Sequence, residues 1–558
     1  MLHMQSIRSF ILERHGRRSI DILLLSLFFA FAFFYRLGES PLMDPDEGRY
    51  AEIPREMLES GGFITPHLNY VHFFFKPPLF YWMNVISLKV FGENEFAVRF
   101  PSALCGFLVL LLTYYIGLKV FGHREALLSA IILGTSGGYF TCSRLNLIDM
   151  PLTLCVTASL GFFLLGSRET ERYRGFYFRC FYIFMALAVL IKGLIGIILP
   201  GMIIFLYMLI MRRWRLVREM RLLTGALLVI VICAPWFILV SAKNPGFMKF
   251  FFLREHVGRF ISRIHQRHEF FGFFVPGLLG MMFPWSFFLP AAVTQFWSKR
   301  KSDDFPAWLF IALWAIVIFT FFSFSQSTLL TYILPIFPAV ALLTGATFSA
   351  ALDRWSGWIG WPGYIISCAF CIGGAAMIAY PHLSRIADLT PGIWIAPGAI
   401  AIIGGILSFR LTQRASAAGL FCTLCVMLYL IEVIAAVLVP TVFLADRTAK
   451  KLALIVNEKA GPDTLIASYM YEPSLAFYTR RKFIMVDASS TIDLELGGGP
   501  EGDASLFFGI DQFIRAWDSG KPIIVLLKSR DLTWLRNRVK TPIAILSQQG
   551  DKILAANR

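Results

Sequence analysis

Residues 193–242 read GLIGIILPGMIIFLYMLIMRRWRLVREMRLLTGALLVIVICAPWFILVSA. Two apolar stretches, 193–211 and 222–242, flank a basic knot of Arg212, Arg213, Arg215, Arg218 and Arg221. Each stretch is close to the ~20 residues that a helix needs to cross a bilayer. The knot between them has no place in hydrocarbon. It suits a short loop on the cytoplasmic side, where Lys and Arg accumulate. The pattern predicts a polytopic, all-α membrane protein.

The rest of the chain repeats it. Of 558 residues, 57% are hydrophobic and 16% charged, whereas a soluble domain runs near a quarter charged. Thirteen spans are predicted, at about 20–36, 96–118, 125–143, 150–167, 177–191, 193–211, 222–242, 274–296, 306–324, 329–350, 356–380, 391–409 and 416–443. The boundary at Lys192-Gly193 is the least marked. Arg8, Arg14, Arg17 and Arg18 precede the first span, and no small-residue cleavage site follows it. A retained first helix with a cytoplasmic N-terminus is expected. The loops then assigned to the inside hold Lys119, His123 and Arg124; Arg168, Arg172, Arg174 and Arg179; the Arg212–Arg221 knot; Lys299–Lys301; Arg354; and Arg410 with Arg414. The net charge of +16 is therefore a topology signal, and it argues against nucleic-acid binding.

Two long outside loops are expected, at 37–95 and 243–273, within a membrane domain spanning 1–445. Within the first, Glu47–Glu59 is amphipathic enough for a short interfacial helix. After Phe443 the hydropathy drops. Short apolar runs at Thr464–Tyr469, Phe483–Val486, Pro522–Leu527 and Ile543–Ser547 alternate with helix-like pieces. They predict a small α/β domain over 446–558, outside the membrane. Gly497-Gly498-Gly499-Pro500 lacks the Lys-Ser/Thr ending of a phosphate loop and opens no helix. Nine cysteines lie in or beside apolar spans. Cys368 with Cys371 and Cys422 with Cys425 have CxxC spacing, but no His or acid stands near them, so they read as small apolar packing residues.

The chemistry concentrates in the outside loops. Asp44-Pro45-Asp46-Glu47-Gly48-Arg49-Tyr50 puts three carboxylates in four residues. A carboxylate flanked by cations such as Arg49 and Lys76 stays ionised near lipid, where it can serve as a base or hold a metal or an amino-sugar. Lys76-Pro77-Pro78 aims a compact cation at the interface, suited to a phosphate or to snorkelling. Arg144–Asp149 ends one span and starts the next, and an acid at a membrane boundary is a functional candidate or a helix cap. Lys192 sits between two spans with the same two readings as Lys76. Arg254-Glu255-His256-Val257-Gly258-Arg259 is basic with one imidazole, and Arg263, His265, Arg267 and His268 follow. His256 with a first-loop carboxylate could hold a divalent metal such as zinc, magnesium or manganese. Tyr332 falls at the outer end of the tenth span, as an anchor or a cavity-lining hydroxyl.

Acids and scattered cations facing one compartment, above a bundle able to admit a lipid tail, fit a phosphorylated lipid carrying a group to be transferred. Cations would offset the leaving phosphate's charge as the glycosidic bond breaks. A transporter or flippase is the rival class. Such proteins commonly show duplicated halves and broken helices at mid-membrane, and neither is legible here. A non-catalytic sensor built around the C-terminal domain is a second rival.

Asp44–Tyr50, Lys76–Trp82, Asn94–Pro101, Arg144–Asp149, Glu255–Phe260, Phe283–Ser286 and Tyr332–Pro338, in that order, resemble the GT-C glycosyltransferases of the protein O-mannosyltransferase type. Within these, the chain is similar to the bacterial 4-amino-4-deoxy-L-arabinose lipid A transferases. The resemblance implies a polyprenyl-phosphate sugar donor and inverting transfer to lipid A, or to protein hydroxyls or surface polysaccharide, at the periplasmic face of the inner membrane. It implies that Asp46, with Glu47 beside it, and Asp149 are catalytic. Lys76, Lys192 and Arg254 or Arg259 would bind the donor phosphate, and Arg49, Tyr50 and Tyr332 would line the cavity. Two positions depart from the pattern. Phe75 stands where a Glu precedes the Lys-Pro pair, which puts a zinc at His256 in doubt. Thr328 stands where many relatives carry Lys, which puts the sugar in doubt.

Overall fold

The computed structural model describes residues 2–169, 171–258, 270, 272–325, 328–383, 392–442, 448–487 and 504–557. Contacts divide the chain into two units. The first comprises residues 1–37, 102–233 and 266–438; the second comprises 38–101, 234–265 and 439–558.

Among the described residues nine helices are long and apolar enough to cross a membrane, or eleven if each of two bent pairs counts as one span. Every predicted span falls on one of these, or on the helices Leu2–Phe34 and Ile195–Met211. The chain is a multi-span, predominantly helical membrane protein. The faint boundary at Lys192-Gly193 is a real break. One helix ends at Lys192, Gly193 takes φ +83°, and the next helix starts at Ile195. Only glycine adopts that backbone without strain.

The two bends in the first unit have separate local causes. His123–Gly134 and Gly137–Ser143 meet at 67°. There the Thr135 and Ser136 hydroxyls donate back to the carbonyls of Ile131 and Ile132, both at 2.7 Å, a pattern that bends helices. Phe274–Met281 and Trp285–Lys301 meet at 108°, where Pro284 interrupts the ladder. The fully buried Trp285 indole N–H donates to the Thr135 hydroxyl at 3.1 Å, tying one bend to the other.

The second unit gathers most of the long loop 37–95, part of the loop 243–273 and the C-terminal region. The helix Asp46–Ser60 is where an interfacial helix was expected, but it is not laid out on a surface. Glu47, Glu52, Arg55 and Glu56 are all almost fully buried. The helix Pro473–Thr479 packs on it, so its polar face turns inward, where Arg55 pairs with Glu52 and Glu59 and Glu56 accepts the Tyr70 N–H at 3.0 Å. Arg55 forks onto Glu52 at 2.7 Å through both Nε and Nη2, and reaches Glu59 at 2.9 Å. A tight hairpin, β1 (His67–Leu68) with β2 (Val71–His72), turns through Asn69 and Tyr70 at positive φ, the geometry of the primed hairpin turns. The Asn69 amide donates to the Phe483 carbonyl and its oxygen accepts the Phe483 N–H, both at 2.9 Å.

The C-terminal sheet has six strands: β3 (Leu465–Ser468), β4 (Ile484–Val486), β5 (Phe507–Phe508), β6 (Ile523–Lys528), β7 (Ala544–Gln549) and β8 (Lys552–Ala556). Their order is β5-β4-β3-β6-β8-β7, parallel from β5 to β6 and antiparallel thereafter. The near-continuous apolar run of β6 suits a strand covered on both faces. Val525 and Leu527 pack with Phe513, Trp517, Leu535 and Ile553. All four predicted strands are present. β5 and β8 were not anticipated, one being only two residues long and the other following β7 through a two-residue turn.

Candidate active site

In the second unit the three clustered carboxylates have three separate fates. Glu47 is buried and clamped by Arg99, which pairs with both its oxygens at 2.8 Å. Arg99 also donates to the Ser40 and Pro41 carbonyls at 2.7 and 3.0 Å. Removing one partner of such a buried pair costs about 3–5 kcal/mol. Asp44 accepts the Ser474 backbone N–H at 2.8 Å and the Ser474 hydroxyl. Burial and the neighbouring Glu472 carboxyl push its pKa well above the usual carboxylate range. The Asp46 side chain is 30% exposed, with Arg49 3.2 Å from one oxygen. It sits in the first turn of its helix, where the macrodipole favours an anion.

Around Asp46 the other first-loop candidates are ordered by packing. The Arg49 guanidinium lies 6.0 Å from the Phe73 ring. Tyr50 is buried, edge-on to Phe80 with centroids 5.4 Å apart. Lys76 reaches Glu255 of the second loop at 3.2 Å. The Glu255 side chain is 2% exposed and that of Lys76 14%. Phe75, the departure from the family pattern, packs edge-on to Phe250, with ring centroids 5.6 Å apart. At Lys76, therefore, the carboxylate comes from the second loop. Arg254 is exposed, its guanidinium 5.4 Å from Phe250.

Arg254 and His256 belong to the π-helix Lys249–Gly258. The His256 side chain lies outside what is described, as do Arg259, Arg263, His265, Arg267 and His268. Among the described residues no three His, Cys, Asp or Glu side chains stand together as a metal would require. All nine cysteines are free thiols.

In the first unit the structure brings together three residues far apart in sequence. Asp149 opens the helix Asp149–Arg168 and Lys192 closes the helix Glu171–Lys192. Each charge thus lies at the helix end whose dipole favours it. Their side chains form an ion pair, and the Thr331 hydroxyl donates to the second Asp149 oxygen at 2.5 Å. The Lys192 ammonium sits 4.2 Å from the Tyr332 ring centroid, a cation–π contact. Arg144, by contrast, is spent on the backbone. It donates to the carbonyls of Ala32, Phe33 and Tyr35 at 2.8–3.0 Å, where the first helix ends.

Comparison with known proteins places the whole chain. The dolichyl-phosphate-mannose-protein mannosyltransferase family model matches residues 75–239, and the aminoarabinose transferase C-terminal domain model matches 452–557. The undecaprenyl phosphate-alpha-4-amino-4-deoxy-L-arabinose arabinosyl transferase of Pectobacterium carotovorum is 32% identical over 401 residues, 70% of each chain. The chain belongs to this arabinosyl transferase family. The enzyme of that name from Aeromonas hydrophila is 34% identical over 326 residues, 58% of this chain but 59% of its own length, less than two thirds. A crystal structure of ArnT from Cupriavidus metallidurans bound to undecaprenyl phosphate superimposes with a TM-score of 0.82 at 27% identity, covering 96% of this chain and 98% of that one. The archaeal oligosaccharyltransferase AglB from Archaeoglobus fulgidus, at 13% identity and a TM-score of 0.53, shares the fold.

For a member of the arabinosyl transferase family, the notable residues that the sequence did not single out are Thr331, Glu255, Arg99 and Ser474. Thr331 and Glu255 stand beside residues that were singled out. Arg99, within the Asn94–Pro101 motif, and Ser474 give no local sign of their partners, because those carboxylates lie 52 and 430 residues away.

Proposed function

We propose that the chain transfers 4-amino-4-deoxy-L-arabinose from undecaprenyl phosphate to lipid A at the periplasmic face of the bacterial inner membrane. The N-terminus is then cytoplasmic and the C-terminal domain periplasmic, as the basic inside loops require. The relationship to the Pectobacterium transferase over 70% of both chains carries the reading. The Cupriavidus structure, bound to undecaprenyl phosphate, supports the carrier.

The site chemistry accommodates it. An acceptor oxygen attacks the anomeric carbon, and the bond from that carbon to the carrier phosphate oxygen breaks. The electron pair leaves with the carrier as a phosphate monoester, and the anomeric configuration inverts. Charge builds on the leaving phosphate, where fixed cations lower the barrier most. Lys76 and Arg254 are the cations of the second unit suited to that task; the resemblance gives Lys192, which is paired with Asp149 in the first unit, as a separate candidate. Asp46, whose side chain is 30% exposed and paired with Arg49 at 3.2 Å, orients the acceptor. A lipid A phosphate is already ionised at neutral pH and needs little deprotonation. Glu47, locked to Arg99, serves as a support of the loop in place of the catalytic role its sequence position implied.

The test is turnover of undecaprenyl-phosphate-linked aminoarabinose by the purified full-length protein with lipid A. Release of undecaprenyl phosphate that depends on lipid A supports the reading. Release that depends instead on a peptide or polysaccharide acceptor would replace lipid A while keeping the carrier chemistry.

A further inference from the structure

Asp44 lies two residues before Asp46, and its partners belong to the C-terminal domain. The Ser474 N–H reaches one of its oxygens at 2.8 Å and the Ser474 hydroxyl the other. Burial and the neighbouring Glu472 carboxyl raise the Asp44 pKa, and Lys552 on β8 offsets the Glu472 charge at 2.8 Å. The approach is close. A Cβ added at Gly48 would meet the Ser474 nitrogen at 2.4 Å and the Asp44 Oδ1 at 2.6 Å. The first turn of the helix Asp46–Ser60 therefore rests directly on the segment Glu472–Ser474.

We propose that the C-terminal domain takes part in the transfer reaction, with Ser474 holding Asp44 as a hydrogen-bonded strut that sets where the Asp46 carboxylate points. Asp44 and Ser474 are positioning residues. The inference rests on the reading of Asp46 as the acceptor-orienting acid. Two carboxyls in contact do not both ionise cheaply, and burial raises the cost further. An amide has the shape of the acid, accepts the same Ser474 N–H through its oxygen and donates through its nitrogen to the Ser474 hydroxyl, which turns from donor to acceptor. Asn at position 44 therefore preserves the strut, whereas Ala removes it.

The experiment measures kcat and donor KM for the full-length protein in membranes, with undecaprenyl-phosphate-linked aminoarabinose and lipid A. Rates are normalised to folded protein from size-exclusion chromatography. Asp44→Asn retains kcat within about threefold. Asp44→Ala and Ser474→Ala lower kcat on the order of 10–100-fold, as misplacing a reacting group by about 1 Å does, while the donor KM stays unchanged. Two outcomes overturn the proposal on its own. One is Asp44→Asn as inactive as Asp46→Asn, which makes Asp44 a titrating group of the reaction. The other is full turnover per folded molecule in Asp44→Ala, which makes the contact structural only. An active Asp46→Asn removes the underlying reading of Asp46 and overturns both.

Discussion

Lys192 ends its helix on the carboxylate of Asp149, which begins another. The two side chains are only 11% and 5% exposed, so neither charge has bulk water to fall back on. Removing one partner strands the other. Lys192→Met alone is expected to destabilise the protein by about 3–5 kcal/mol, and the double change Lys192→Met with Asp149→Leu to recover most of that. If the pair also serves the reaction, the double variant regains stability without regaining activity. Thermal inactivation in detergent, read beside turnover, separates the two effects.

Glu47 and Asp46 are neighbours with opposite burdens. Glu47→Gln breaks the clamp on Arg99 and is expected to cost about 3–5 kcal/mol of stability. Asp46→Asn loses one partly exposed contact to Arg49, worth less than about 1 kcal/mol, so its thermal midpoint stays close to wild type while turnover falls by at least about 100-fold. Melting curves and rates on the same two preparations check both halves.

Lys76 gives a third contrast. As a cation assigned to the donor phosphate, it should show in KM. Lys76→Ala is expected to raise donor KM about 10–100-fold, with Lys76→Arg intermediate, because the forked guanidinium keeps the charge but not the compact geometry. Glu255→Gln removes the buried partner while leaving the cation, and is expected to weaken donor binding less than Lys76→Ala. Steady-state kinetics at varied donor concentration measures all three.

The buried first-loop acids make a prediction about pH. Burial holds the Asp44 pKa well above its ordinary 3.8, and burial with the Glu52 charge does the same for Glu56 above its ordinary 4.5. The folded state thus binds more protons than the unfolded one from about pH 4 up to the raised values, and stability falls as pH rises through that window. His67, lowered by burial to about 4, works in the opposite sense between about 4 and 6.5. The contribution of Asp44 is isolated in the difference between wild type and Asp44→Asn. Wild type is expected to lose stability relative to the variant as pH is raised from 4 toward 8, measured as thermal midpoints across that range.

Much of the membrane architecture was legible because apolar spans and basic loops are one-dimensional signals. Even the break at Lys192-Gly193 showed, since a cation and a glycine interrupt an apolar run. The α/β character of the C-terminal region also showed, through runs such as Ile523–Leu527. Asp46, Asp149, Lys76 and Lys192 stood out as charges where charge is costly. Their partners were harder to find. Nothing near Glu47 marks Arg99 as its clamp, and nothing near Asp44 marks Ser474. The expected interfacial helix at Glu47–Glu59 turned out buried because its amphipathic pattern is the same whether lipid or another helix covers it. The coverage comes from Pro473–Thr479, more than 400 residues on.

The central claim is best tested by mass spectrometry of lipid A from cells with the intact gene, without it, and with only the Asp46→Asn form. The account predicts a pentosamine-sized mass added to lipid A in the first case and missing in the other two. An identical lipid A profile in all three would contradict it.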